Sequence, residues 1–179
     1  MSKRFLTAAS LVEDVFALAL AVIESGWRPD HLVGLWRGGS PVAIALHEAL
    51  AWKGLKTGNS PLAAHSYTGI DERKAEIAIS GLDALTAVLP AGRKLLIVDD
   101  VLDRGHTLLA VTEALRGRYE VRTAVAWFKP ERNETALKPD YHVHETGDWL
   151  VFPHELEGLT DEEIATHKPM PQGLVRASI

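Results

Sequence analysis

The chain has 179 residues, a 46% apolar share, a formal net charge of −5 and no cysteine. Length and apolar share suit one domain with a full core, and no basic run exceeds two residues, which disfavours a nucleic-acid surface. The missing cysteines exclude disulfides, cysteine-held zinc and thiol catalysis, and fit a reducing cytosol. Lys3 and Arg4 ahead of the apolar Val15–Ile23 stretch imitate a leader, but Glu13 and Asp14 interrupt it. Leu11, Val12, Val15, Phe16, Ala19, Val22 and Ile23 keep helical spacing, Ser10 with Glu13 reads as a capping box, and Gly26 reads as the stop. This is an amphipathic core helix, nothing else is long enough to span a membrane, and a cytoplasmic protein is expected.

His31 to Trp36 (HLVGLW) reads as a buried strand running into Arg37-Gly38-Gly39 and a helix, with Ser40 as cap, Pro41 in its first turn and Gly54 past its end. The two glycines let the backbone approach an anion and Arg37 offers a bidentate donor, although RGGSP also spells an ordinary tight turn. Residues 63–80 hold two extended pieces, AAHSYTG and IAIS, around a charged tip, IDERKAE; alone they read as a hairpin. Leu82–Leu89 reads as a short helix broken by Pro90.

Leu95 to Val98 reads as a buried strand ending in Asp99 and Asp100; a turn with Asp103 and Gly105 follows, and Thr107 opens a helical pattern that continues from Leu108 to Arg116. A helix start has unpartnered N–H groups and a positive dipole end, so it holds a phosphate, while the acids upstream suit sugar hydroxyls or a hard cation such as Mg²⁺. DDxxD is also the Mg²⁺-binding signature of prenyl-transferring enzymes, but there it lies on a helix, and the apolar run here argues for a strand.

Val121–Trp127 alternates as a strand and leads to Phe128-Lys129-Pro130, where a lysine read singly just meets water. Asp140–Glu155 is rich in aromatics and histidines; His142, His144 and His154 suggest a metal cluster, and alternation of His142 and His144 on one strand face permits a ligand pair, though the spacing alone argues weakly for one. Thr160 and Glu163 form a capping box for a helix to about His167, and Pro169, Pro171 and Gly173 mark a loose tail.

The Leu95–Leu108 segment resembles the PRPP-binding motif of type I phosphoribosyltransferases: four apolar residues, two acids, two apolar residues, then D-T-G-x-T. Arg104 stands where the family usually has threonine, and His106 fills the variable slot. In the resemblance Arg37-Gly38-Gly39 becomes the pyrophosphate loop, commonly carrying a cis non-proline peptide, which places that bond near Trp36–Arg37. Ser66-Tyr67 resembles the Ser-Tyr pair of the hypoxanthine-guanine branch within a lid, with Arg73 and Lys74 as further candidates. Trp127-Phe128-Lys129-Pro130 resembles Y-x-K-P, and Trp149-Leu150-Val151-Phe152-Pro153 resembles a stretch whose aromatic stacks on the purine. The match runs from about Leu32 to Glu155.

The resemblance implies an α/β type I phosphoribosyltransferase fold, with a central parallel sheet flanked by helices and a small hood over the strands' C-terminal ends. It implies a single domain over 1–167, a hood mainly from 139–160 with the N-terminus left open as a contributor, and a tail over 168–179. The implied reaction moves 5-phosphoribosyl from PRPP to N9 of a 6-oxopurine, with Mg²⁺ as cofactor and pyrophosphate released. Asp99 and Asp100 would hold the ribose hydroxyls and the metal side, Asp103 would act as base near purine N7, and Arg104, Gly105, His106 and Thr107 would cradle the 5′-phosphate. Lys129 would meet the 6-oxo group, with Trp149 and Leu150 along the purine. A homo-oligomer, dimer or tetramer, is expected. A transferase for another base and a non-catalytic nucleotide-sensing regulator of the same fold are the alternatives, and the choice among hypoxanthine, guanine and xanthine stays open.

Overall fold

The structure is a computed structural model describing residues 3–67 and 76–169. Its strands are β1 (Lys3–Phe5), β2 (His31–Trp36), β3 (Gly58–Tyr67), β4 (Glu76–Ser80), β5 (Lys94–Leu102), β6 (Glu120–Phe128), β7 (Tyr141–Glu145) and β8 (Trp149–Val151). Its helices are α1 (Ala8–Glu24), α2 (Gly39–Trp52), α3 (Leu82–Val88), α4 (His106–Arg116) and α5 (Asp161–His167). Six strands form one sheet in the order β4-β3-β2-β5-β6-β7, parallel throughout except for the antiparallel β3–β4 pair. β1 and β8 pair in parallel as a separate two-stranded layer.

The sheet has a core on each face, which explains why its central strand is apolar without a break. Leu96 and Val98 pack with Leu18 and Val22 of α1 and Leu46 of α2. Leu95 and Ile97 point the other way, among Leu85 of α3 and Leu108, Val111 and Leu115 of α4. All four strand residues are fully buried, and burial of each such side chain is worth roughly 1.5–3 kcal/mol.

Several boundaries differ from the sequence reading. The α1 capping box is Thr7 with Ser10, not Ser10 with Glu13: Thr7 Oγ1 accepts from the Ser10 amide at 3.0 Å and Ser10 Oγ from the Thr7 amide at 3.1 Å. The chain turns there because the Leu6 amide is bonded to the Val151 carbonyl at 3.0 Å, which pins the preceding residue to the small layer. α2 begins at Gly39 with Gly38 at the cap, so Ser40 lies inside the first turn, and its buried hydroxyl finds no partner among the described residues. β5 runs past both acids to Leu102 because β6 is long enough to continue the ladder, pairing Val101 with Trp127 and Leu102 with Phe128.

From β2 the chain continues to β3 on one side of the sheet, and from β5 to β6 on the other. A crevice outside the carboxyl ends of β2 and β5 is therefore where an open α/β sheet of this kind accepts a ligand.

Candidate active site

The loop after β2 is pressed onto the acids of β5. Its Trp36–Arg37 peptide is cis, at the expected position. A Cβ on Gly38 would overlap the Asp100 carboxylate; one on Gly39 would overlap the Val98 carbonyl and lie 2.8 Å from Asp99 Cα. Gly39 therefore needs glycine for space, whereas a side chain at Gly38 would have to displace the Asp100 carboxylate. Arg37 reaches outward, 72% exposed, to Glu157 at 3.2 Å. Between this loop, Asp100 and residues 154–157 lies a cleft of about 790 Å³, within the range of small-ligand sites.

The two acids are held differently. The Asp99 carboxylate accepts from the Asp100 amide at 3.0 Å, and Asp100 Oδ1 accepts from the Val101 amide at 2.7 Å. Asp100 is 7% exposed, with His154 Nε2 at 3.4 Å from its Oδ2. Burial pushes the Asp99 carboxyl well above the usual carboxylate range, and the neighbouring Asp100 charge adds to this. Asp100 lines the cleft, and its hard carboxylate oxygens, with those of Asp99 beside it, are the donors that would hold a Mg²⁺ ion shared with substrate phosphates.

Asp103 is the junction of the site. Lys129 Nζ lies 3.1 Å from its Oδ2, and Arg132 Nε donates to its Oδ1 at 2.6 Å. The Lys129 side chain is 5% exposed, so this lysine at a strand end does not simply meet water. Arg132 was not anticipated. The signal was available in Lys-Pro-Glu-Arg: Pro130–Arg132 form a 3₁₀ turn, and residues three apart in such a turn eclipse, bringing both cations to one carboxylate.

The same segment braces the start of α4. Gly105 has φ +87° and caps the helix, and a Cβ there would lie 2.6 Å from both Asn133 Oδ1 and Thr135 Oγ1. The Glu134 amide donates to the Arg104 carbonyl at 3.1 Å. Its carboxylate faces His106 Nε2 at 2.8 Å and Arg104 Nε at 3.7 Å. Thr107 lies in the first turn of α4. Among the described residues no side chain caps α4, whereas α1 and α5 carry complete capping boxes and the Gly39 amide at the start of α2 is bonded to the Asp99 carboxylate. The N–H groups that begin α4 are thus available to anions.

The base-side candidates separate. Trp149 is 50% exposed, while Leu150 is 6% exposed and packs with Leu11 and Val15 of α1, so Leu150 can offer a base its backbone but not its side chain. β7 ends at Glu145 beside Phe128 of β6, placing the short turn to Trp149 next to the strand that delivers Lys129. His142, His144 and His154 meet three different acids, Glu145, Asp14 and Asp100, and do not converge. Ser66 and Tyr67 end β3, but their side chains, and Arg73 and Lys74 altogether, lie outside the described residues.

Comparison with known proteins agrees with this geometry. The phosphoribosyl transferase domain family matches residues 2–158. A hypoxanthine-guanine phosphoribosyltransferase of Lactococcus lactis subsp. lactis (strain IL1403) is 37% identical over 81 residues, which are 45% of this chain and 43% of that relative. The match therefore spans under half of that relative's length. The crystal structure of a purine phosphoribosyltransferase from Pyrococcus horikoshii Ot3 superposes with a TM-score of 0.71 at 32% identity, covering 90% of this chain and 99% of that one. A Helicobacter pylori xanthine-guanine-hypoxanthine phosphoribosyltransferase shares the fold, with a TM-score of 0.63 at 20% identity over 84% of this chain and 92% of that one. Since the family spans the acidic strand end, the glycine loop and the buried lysine together, this chain belongs to the type I phosphoribosyltransferases, in their purine branch.

Proposed function

We propose that the protein transfers 5-phosphoribosyl from PRPP to N9 of a 6-oxopurine, giving the nucleoside 5′-monophosphate and pyrophosphate. The observation that carries this reading is the Asp103 junction. One carboxylate, at the foot of an uncapped helix, also contacts a buried lysine at the end of the neighbouring strand. A sugar phosphate and a base bound at these two places would share Asp103 between them.

In this reading the 5′-phosphate takes the amides of Arg104 to Thr107, and pyrophosphate takes Arg37, Gly38 and Gly39. Asp99 and Asp100 face the ribose hydroxyls and the metal side. Mg²⁺, when bound, would neutralise charge on the departing pyrophosphate. The N9 electron pair forms the bond to C1′ as the C1′–oxygen bond breaks, and its electrons leave with pyrophosphate. Positive charge that builds on the purine is relieved as Asp103 accepts the N7 proton. Lys129 donates to the 6-oxo oxygen; an ammonium has donors only and would repel a 6-amino group. Trp149 offers its exposed ring to the base, and the β1–β8 layer serves as the hood. Its seat is firm: Lys168 Nζ donates to the Phe152 carbonyl at 2.6 Å, and Lys3 pairs with Glu163 at 2.8 Å.

A pyrophosphate-release assay with PRPP, Mg²⁺ and a panel of bases tests the reading. Turnover with adenine, uracil or orotate in place of 6-oxopurines would shift it to another base, and no turnover with any base would leave a ligand sensor. Lys129→Ala is expected to weaken 6-oxopurine binding about tenfold or more, as loss of a buried charged hydrogen bond does, and PRPP binding much less. Calorimetric titration of each ligand checks this, and an equal loss for both would remove Lys129 from base recognition.

The assembly is also a proposal. Phe16 (54% exposed), Leu20 (49%) and Trp52 (82%) leave an apolar face on α1 and α2, which suits burial against a second copy. Sedimentation velocity at micromolar concentration should show a dimer or tetramer; a monomer there would contradict it.

A further inference from the structure

The loop that begins α4 has two basic side chains, Arg104 and His106, and one carboxylate bridges them. Glu134 Oε2 is 2.8 Å from His106 Nε2, and its Oε1 is 3.7 Å from Arg104 Nε. This is not a chance meeting of long surface side chains. The Glu134 amide is tied to the Arg104 carbonyl at 3.1 Å, and the flanking Asn133 and Thr135 side chains abut Gly105. A short braced segment thus delivers a negative charge to the turn where an anion would sit. The His106 hydrogen bond, and then the charge of Arg104, hold the Glu134 carboxyl below its ordinary range, so it is ionised at neutral pH.

We propose that Glu134 is a resident counter-anion of this loop: it neutralises Arg104 and occupies His106 Nε2 in the free protein and yields both side chains when a sugar 5′-phosphate binds. The inference rests on the phosphate-site reading above and deepens it by naming what the phosphate displaces. Displacement is physically reasonable because the two anions are unequal. Glu134 brings one charge, and its side chain is 52% exposed, so water readily receives it. A phosphate monoester brings up to two charges and three acceptor oxygens, and it also reaches the uncapped amides of α4. Arg104 adds a charge where the family pattern has a neutral threonine, and Glu134 offsets that charge until the ligand arrives. Glu134 therefore makes phosphate binding weaker than Arg104 and His106 alone would allow, and it raises discrimination against singly charged anions.

The test is calorimetric titration of ribose 5-phosphate into the wild-type protein, Glu134→Gln, Arg104→Ala and the double variant, with inorganic pyrophosphate as a second ligand. Glu134→Gln should bind ribose 5-phosphate about threefold to tenfold more tightly at low salt, with the gain shrinking as salt screens these half-exposed groups. The gain should fall in the Arg104→Ala background, as it does for groups that interact. Pyrophosphate affinity should stay within about twofold, because that ligand belongs to the Arg37-Gly38-Gly39 loop. Unchanged or weaker ribose 5-phosphate binding by a folded Glu134→Gln protein, shown by an unaltered melting curve, overturns the proposal and means that Glu134 orients the loop instead. An equal gain for pyrophosphate also overturns it, by showing a general charge effect. Failure of the wild-type protein to bind ribose 5-phosphate at all refutes the phosphate site itself, a distinct result.

Discussion

Replacing Asp103 with asparagine should lower kcat by about 10²–10³-fold, the usual worth of a positioned general base, while PRPP affinity changes by no more than about threefold. Asparagine keeps the shape of the side chain but presents an amide group to one of its two cationic partners. Lys129 at 3.1 Å and Arg132 at 2.6 Å would then compete for a single acceptor oxygen. On the proposed reading the proton acceptor for N7 is lost, whereas the amides that start α4 remain for the 5′-phosphate. Steady-state kinetics with PRPP and a 6-oxopurine, beside direct titration of PRPP, separate the two effects. The rival account makes Asp103 only a clamp that holds Lys129 and Arg132 in place. In that case the melting temperature would fall and kcat would survive.

The second large effect is expected at Gly39, where the cost falls on folding rather than on chemistry. Alanine there would drive its Cβ into the Val98 carbonyl and to 2.8 Å from Asp99 Cα. Both atoms belong to the backbone of the central strand, which has β2 on one side and β6 on the other and cannot move without breaking a ladder. Overpacking of this kind costs about 2–3 kcal/mol. For a domain of this length that lowers the melting temperature by roughly 5–10 °C. Gly38→Ala differs because its overlap is with the Asp100 carboxylate, a side chain that can swing aside. It should unfold near the wild-type temperature but displace Asp100 from the cleft. Gly117→Ala is the control: nothing lies within 4 Å of its added Cβ, and its φ of −70° is open to any residue. Differential scanning calorimetry on the three variants decides the matter, and a Gly39→Ala protein as stable as Gly117→Ala would mean that the loop is not wedged against β5.

Much of this architecture was legible because strong local signals coincided with buried elements. His31–Trp36 reads as a strand and is one over the same residues, since five of its six residues are buried and any other conformation would expose them. The order of acids, glycine and helix start after Val98 likewise placed a turn capped by Gly105 where α4 begins. Local signals failed where long-range contacts decide. Pro61 hides the first half of β3 from a propensity reading, yet the strand starts at Gly58 because the absent side chain there makes room for the His31 ring. Ser10 has the composition of a cap, but the bond from the Leu6 amide to Val151 moves the helix start to Thr7.

The amino-acid order by itself determined the candidate groups: the acids Asp99, Asp100 and Asp103 and the glycines of the two loops, with Lys129 added by the family resemblance. The acids and glycines are announced by residue type and by their place after an apolar run, whereas Lys129 read singly would just meet water. The tertiary structure alone decided how they are paired. Asp103 meets Lys129 and Arg132 from 26 and 29 residues further along the chain, and His106 meets Glu134 from 28 residues further along. Such contacts come from parallel strands laid side by side, an arrangement that closes long loops and leaves no periodic trace in the sequence.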